Sequence, residues 1–318
     1  MPIDAAKATS AEPRTTELAW DHKDVQLYHL GIGAGAATAE RPHAATDPDE
    51  LRYTLESALH VLPSFATVAG LGSPLVERSR ELGERMALAG GLSAPGIDVD
   101  LAAVLHGGQT VTVHRPLPVH GRATQTSTVP AVYDKGKAAV IVLRSEVADD
   151  DGPLWTCDTQ IFVRGEGGFG GERGPSVRGE LPDRAPDLTT ERLVRADQAL
   201  LYRLSGDWNP LHADPEFAAL AGFDRPILHG LCSYGVTLKA VVDTVLDGDV
   251  TRVRAYSTRF AGVVFPGETL RIRVWRDATA GGNSEPGKPG SDGRLQVSVT
   301  AADRDDAPVL ADTVVAYR

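Results

Sequence analysis

TVTVHRPLPVHGRATQTSTVPAVYDKGKAAVIVLRSEVADDDGPLWTCDTQIFVRG, residues 110–165, reads as strand, Pro-and-Gly corner, long strand, turn, long strand, acidic turn and last strand. β-Branched residues two apart, Val111 with Val113 and Val140 with Val142, supply the alternation expected of strands with one buried face. The same order returns near the C-terminus: RAYSTRFAGVVFPGETLRIRVWRD at 254–277, a loose AGGNSEPGKPGSDG at 280–293, then LQVSVTAADRDDAPVLADTVVAYR at 295–318. The loose stretch is expected as a long hairpin tip. A helix-like stretch precedes each run, around 50–60 in the first half and GLCSYGVTLKAVVDTV at 230–245 in the second. One helix followed by an antiparallel sheet, used twice, predicts an α+β protein formed by duplication.

Composition sets the wider bounds. The chain has 318 residues, 42% of them hydrophobic and 24% charged, which suits a soluble protein with a core of normal size. Residues 1–16 are polar and aperiodic and are expected as a mobile tail. GEGGFGGERGPSVRGELPDRAPD, 165–187, is dense in Gly, Pro and charge, which punctuates a chain and does not pack. The expected division is therefore a domain at 17–165, a linker at 166–190 and a second domain at 191–318. A net charge of −11 argues against nucleic acid as a partner, because phosphate neutralisation needs a basic face. The two cysteines, Cys157 and Cys232, form neither a disulfide framework nor a metal motif. No apolar run approaches the roughly 18 residues of a membrane span. MPIDAAKATSAEPRTT at the start has no apolar signal core, and VVAYR at the end carries no peroxisomal or retention tail, so the cytoplasm is the expected location.

GIGAGA, 31–36, satisfies the letters of a dinucleotide loop. That loop works only as a turn from a buried strand into a helix whose N-terminus meets pyrophosphate. Here WDHKDVQLYHL before it reads as an amphipathic helix and ATAERPHAATDP after it has two prolines, so a glycine-rich helix end is expected. His114 and His120 are expected as solvated residues, and His229 in a packing or capping role. No metal-ligand spacing appears, and no metal is expected.

SGDWNPLHADP, 205–215, gathers Asp207, Asn209 and His212. Asn209 precedes Pro210 and is pushed to extended geometry, so the segment is a turn. Asp214 is expected to cap a helix that opens at Pro215. In such a turn three polar side chains can converge on one point, or simply bond their own backbone. The residues alone leave both readings open.

The longer stretch YRLSGDWNPLHADPEFAALAGFDRPILHGLCSYG, 202–235, resembles the signature of type 2 enoyl-CoA hydratases, the MaoC-like dehydratases. GIGAG, VLPSF at 61–65, LHGGQ at 105–109, RPLP at 115–118, DKG at 134–136, GGFGG at 167–171 and RFAGVVFPGETL at 259–270 resemble stretches of the tandem members in the same order. The resemblance covers all but the tail and the 280–293 loop. It implies a double hot-dog fold, two antiparallel sheets each wrapping a helix, with the N-terminal copy degenerate because it lacks a D-x-N-P-x-H segment. It implies reversible hydration of a trans-2-enoyl-CoA to the (3R)-3-hydroxyacyl-CoA. Asp207 and His212 match the catalytic pair, with Asn209 helping to hold the water. Gly230 matches the glycine whose N–H binds the thioester oxygen, and His106, Gly107, Lys135 and Phe260 match positions that contact the acyl-CoA. No cofactor is implied, since coenzyme A enters only as part of the substrate, and a homodimer through sheet edges is expected. The intact motif argues against a hot-dog thioesterase, and retention of both Asp207 and His212 against a non-catalytic acyl-CoA-binding module; a dehydratase acting on acyl-carrier protein would share the chemistry but need a basic docking patch, which a net charge of −11 does not suggest. Which of Asp207 and His212 is acid and which base is left open.

Overall fold

A computed structural model describes residues 3–37, 41–71, 91–100, 103–175, 179–277 and 292–318. The strands among them are β1 Arg14–Trp20, β2 Gly91–Ala94, β3 Ile97–Asp100, β4 Val104–Val113, β5 Gly121–Asp134, β6 Ala138–Asp149, β7 Gly152–Arg164, β8 Leu188–Leu193, β9 Val253–Phe260, β10 Thr269–Arg276, β11 Gly293–Ala301 and β12 Ala307–Tyr317. The helices are α1 Ala5–Thr9, α2 His22–Gly31, α3 Pro48–Leu51, α4 Gln198–Tyr202, α5 Pro215–Leu220 and α6 Gly230–Val245.

Ten strands form one sheet in the order β1-β5-β6-β7-β4-β9-β12-β11-β10-β8. The duplication is visible in that order. Outward from the centre, β4, β7, β6, β5 and β1 match β9, β12, β11, β10 and β8 one for one. The halves join by antiparallel pairing of β4 with β9, Gly108 to Thr112 facing Arg259 to Ala255. This is the double hot-dog arrangement, α+β in class. One large core cluster runs through both halves, from Trp20 and Trp155 to Tyr234, Tyr256 and Val315.

Helix α6 fills the C-terminal half. Twelve of its sixteen residues are buried, so it is apolar nearly all round, as a core helix must be. Gly235 lets α2 approach it: a Cβ there would lie 2.6 Å from Tyr28 Oη and 2.7 Å from Ile32 Cγ2. Buried Lys239 bonds Glu50 at 2.9 Å and Asp243 at 2.8 Å, and Tyr53 Oη donates to Asp243 at 2.7 Å. These contacts clamp the segment around α3 of the first half onto α6.

Two expectations are corrected. The helix expected around 50–60 is only the short α3 followed by the single 3₁₀ turn Glu56–Ala58. The carbonyls a longer helix would need are taken elsewhere: His29 Nδ1 donates to Tyr53 O at 2.9 Å and Gln26 Nε2 to Thr54 O at 2.6 Å. Among the described residues of the first half, the 3₁₀ turn Pro63–Thr67 packs against β4, β7 and α6. Nor are residues 3–16 a loose tail. Asp4 caps α1 and its N–H donates to Gly96 O at 2.7 Å, while Ile3 and Ala8 are buried in a second cluster with Ile97, Val99, Ile141 and Val163. Two apolar contacts across a hairpin some ninety positions away leave no periodicity in the sequence.

In the expected linker, Asp187 N–H donates to Val274 O at 2.9 Å and edge strand β8 begins at Leu188. GIGAGA follows the carbonyl end of α2, where Ala34 N–H donates to His29 O at 2.9 Å. That pole of a helix repels phosphate. The hairpin tip at 280–293 lies outside the described residues apart from its last two. No helix among the described residues is long and apolar enough to cross a membrane.

Candidate active site

The segment 205–215 is a turn built from its own side chains. Gly206 reverses the chain at φ 120°, a conformation that favours glycine, and a Cβ there would sit 2.5 Å from Leu71 Cβ. Asp207 Oδ1 accepts the Asn209 N–H at 3.2 Å. Asn209 Oδ1 accepts the Leu211 N–H at 3.0 Å and caps the 3₁₀ turn Pro210–His212. Asp214 caps α5, with Pro215 at its first position, as read from the sequence. Thus Asp207 and Asn209 make the bonds of the plain-turn reading, yet the turn also delivers His212 inward.

His212 is 9% exposed, and its Nδ1 donates to Ile227 O at 2.9 Å. That bond assigns the proton to Nδ1 and leaves the Nε2 lone pair open. Burial lowers the His212 pKa, opposed by the Asp207 carboxylate, so the ring is neutral near pH 7. Tilted against it by 31°, with ring centroids 3.8 Å apart, is His229, whose Nε2 donates to the Asp207 carbonyl at 3.2 Å. Burial lowers the His229 pKa as well, and the neighbouring His212 lowers it further. Asp207, His212 and His229 each offer one ligand atom, all within 4.8 Å of one another. The Asp207 carboxylate and the His212 ring are thus close enough to share one small polar molecule. The three residues are also a donor set that could accept a divalent cation.

His229 is the N-cap residue of α6, so the next residue, Gly230, opens the helix with an N–H that has no intrahelical acceptor. The ring of Phe260, at the end of β9, covers this position: a Cβ on Gly230 would lie 3.1 Å from Phe260 Cδ1 and Cε1. Phe260 in turn meets His106 edge to face, centroids 4.6 Å apart. His106 is aimed by a β-bulge, since His106 pairs with Ile161 but Gly108 with Gln160, leaving Gly107 as the extra residue. A Cβ on Gly107 would lie 3.3 Å from Gln160 O, which accounts for glycine there.

Asp207, His212, Gly230, Phe260, His106 and Gly107 therefore form one connected cluster, with Asn209 in the turn beneath it. Lys135 is set apart from them. It lies in the β5–β6 turn, and its ammonium donates to the carbonyls of Arg173 and Pro175.

Three groups that shape the site escaped the sequence. Buried Gln109 accepts at Oε1 from His106 Nε2 at 3.1 Å and from Thr159 Oγ1 at 3.0 Å, fixing the imidazole. Arg203 donates to Trp208 O at 3.1 Å and lies over the Trp208 ring, bracing the turn. His229, expected only to pack or cap, is a member of the polar cluster; its place directly before the helix-opening glycine was the one available signal. His114 and His120 are exposed, as expected.

A carboxylate and a neutral imidazole within 4.8 Å of one another, next to the N–H that opens a buried helix on a double hot-dog sheet, form a cluster equipped to accept and donate protons. The family follows from sequence. A profile of the MFE-2 hydratase 2 N-terminal domain matches residues 18–165 and the MaoC like domain matches residues 177–291. Enoyl-CoA hydratase ChsH3 of Mycobacterium tuberculosis is 45% identical over 315 residues, covering 98% of each chain. The peroxisomal enoyl-CoA hydratase 2 of Arabidopsis thaliana is 39% identical over 276 residues, covering 82% of this chain and 83% of that one. A solved MaoC-like dehydratase from Phytophthora capsici superposes with a TM-score of 0.80 at 27% identity, covering 99% of this chain and 98% of the other. The chain belongs to the MaoC-like hydratase 2 family.

Proposed function

We propose that this protein is a hydro-lyase that adds water reversibly to trans-2-enoyl-CoA, giving (3R)-3-hydroxyacyl-CoA in fatty-acid or related acyl-CoA metabolism. The observation that carries the reading is the gap of at most 4.8 Å between the Asp207 carboxylate and the His212 ring, directly beside the Gly230 N–H.

Water is a weak nucleophile and the α-carbon of a thioester a weak proton acceptor at neutral pH. A water held between Asp207 and His212 is polarised from both sides, with the Asn209 side chain holding the turn that presents them. His212 Nε2, open and neutral, accepts a proton as the water oxygen bonds to C3. The dyad returns a proton to C2, so the pair ends as it began. Charge builds on the thioester oxygen between these events, and the Gly230 N–H at the positive end of α6 meets it. Phe260, His106 and Gly107 line the acyl-CoA site, and Lys135 meets the coenzyme A moiety. Proton transfer is the whole of the chemistry, so the proposal needs no metal or redox cofactor, and a chelator should leave turnover unchanged.

The test is hydration of a series of trans-2-enoyl-CoA chain lengths, followed by loss of the conjugated-thioester absorbance, with product configuration read on a chiral column. Release of free coenzyme A thiol in place of hydration would return the thioesterase reading. Turnover of carrier-protein thioesters in preference to coenzyme A thioesters would return the dehydratase rival. The proposal also includes a homodimer through the sheet edges β1 and β8, checked by sedimentation, and a cytoplasmic location, checked by fractionation.

A further inference from the structure

Asp134, the last residue of β5, is buried and yet pairs with no cation among the described residues. Its carboxylate gathers backbone instead. Oδ1 accepts the Gly136 N–H at 2.7 Å and the Gly168 N–H at 2.8 Å, and Oδ2 accepts the Gly170 N–H at 2.8 Å. Gly136, Gly168 and Gly170 have φ of 85°, 81° and 82°, the left-handed region that lets short turns point their N–H groups inward. The Gly168 and Gly136 N–H bonds lower the Asp134 pKa, so the group stays an acceptor across the neutral range.

The consequence falls on the next residue, Lys135. Closing the glycine loop onto the β5–β6 turn brings the Arg173 and Pro175 carbonyls over Lys135, whose ammonium donates to both. The Arg173 guanidinium lies against Gly136, and Lys137 is exposed beside them. Carbonyls bring dipoles but no charge, so these bonds give Lys135 no counter-ion. Glu166 and Glu172 belong to the same segment, but neither Lys135 nor Arg173 pairs with a carboxylate among the described residues. On a chain of net charge −11, Lys135 and Arg173 are thus neighbouring cations with no carboxylate partner among the described residues.

Strand register says how far these cations are from the chemistry. Ala138, at the turn, faces Arg164, while His106 faces Ile161 on the same β7. Three residues along and two strands across put the turn on the order of 15 Å from His106, at the same end of the sheet. The pantetheine arm of coenzyme A spans such a distance from thioester to phosphates.

We propose that Asp134 is a positioning residue for the nucleotide end of the substrate, setting Lys135 and Arg173 where the coenzyme A phosphates arrive. The inference rests on the acyl-CoA reading of the dyad. Asp134→Asn is its test, because the amide keeps one acceptor oxygen but turns an N–H donor toward the Gly170 N–H. With crotonyl-CoA the KM should rise about tenfold while kcat moves less than about twofold, the signature of lost uniform binding. With crotonyl-pantetheine, which lacks the nucleotide, KM should not change. The double variant Lys135→Gln/Arg173→Gln leaves the Asp134 bonds in place and should give the same selective rise, so it decides the matter if Asp134→Asn fails to fold. Equal KM changes for both esters, no change for either, or a fall in kcat alone would overturn the proposal. Wild-type protein hydrating neither ester would refute the dyad reading; wild-type protein hydrating both with one KM would refute only this inference.

Discussion

Asp207→Asn separates a catalytic dyad from a well-made turn. The bond from the Asn209 N–H to Oδ1, 3.2 Å, survives in the amide, and so does the His229 contact, because it goes to the backbone carbonyl. Asn is as good a turn former as Asp, so the fold should lose no more than about 1 kcal/mol, the worth of one ordinary hydrogen bond. The reaction should lose much more. The amide carries no charge to polarise a water shared with His212 and cannot exchange a proton within the dyad. Loss of a positioned acid–base partner costs about 10²–10⁴ in rate. A second signature follows from sign alone. The Asp207 carboxylate raises the His212 pKa against the larger lowering by burial, so its removal lowers that pKa further. The acid limb of whatever activity remains should move to lower pH. The assay is crotonyl-CoA hydration against pH, with urea unfolding as the control for fold. Hydration within about threefold of wild type, with unchanged unfolding, would leave the segment as a turn and refute the dyad.

Gly230→Val places a branched side chain where a bare Cβ already comes within 3.1 Å of the Phe260 ring. It should displace both the ring and the oxyanion N–H and lower kcat by about 10²–10³, read in the same assay. In the wild-type enzyme, kcat/KM should fall as pH drops, with an inflection below the ordinary imidazole value of about 6.5, because burial holds His212 neutral. An inflection above that value would assign the limb to another group. Lys239→Met leaves Glu50 and Asp243 facing each other without their shared cation. Arg41 and the Gly35 N–H still serve Glu50, so the loss should be near 3 kcal/mol, the low end for a broken buried pair, measured by urea unfolding.

Local pattern determined much of this protein. Period-2 runs placed the strands of both halves, the Asn209–Pro210 step placed the turn, Asp214–Pro215 placed a helix start, and the resemblance of residues 202–235 to a family signature pointed to Asp207 and His212. Each of these depends on neighbours along the chain, and sequence records such neighbours directly. What required tertiary structure was any group whose partner is remote. Residues 50–60 carry a helical pattern but lose their carbonyls to His29 and Gln26 from α2. Ile3 packs against a hairpin at Ile97, so a segment without periodicity is nonetheless buried. His229 and Gln109 became part of the site only when the long helix and the β4 bulge set them beside Asp207 and His106. The proton assignment on His212 depends on the Ile227 carbonyl, which no spacing along the chain could supply. Sequence placed Asp207 and His212 on one short turn; only the fold decided which His212 nitrogen is left open, because that choice lies in a hydrogen bond to backbone fifteen residues away.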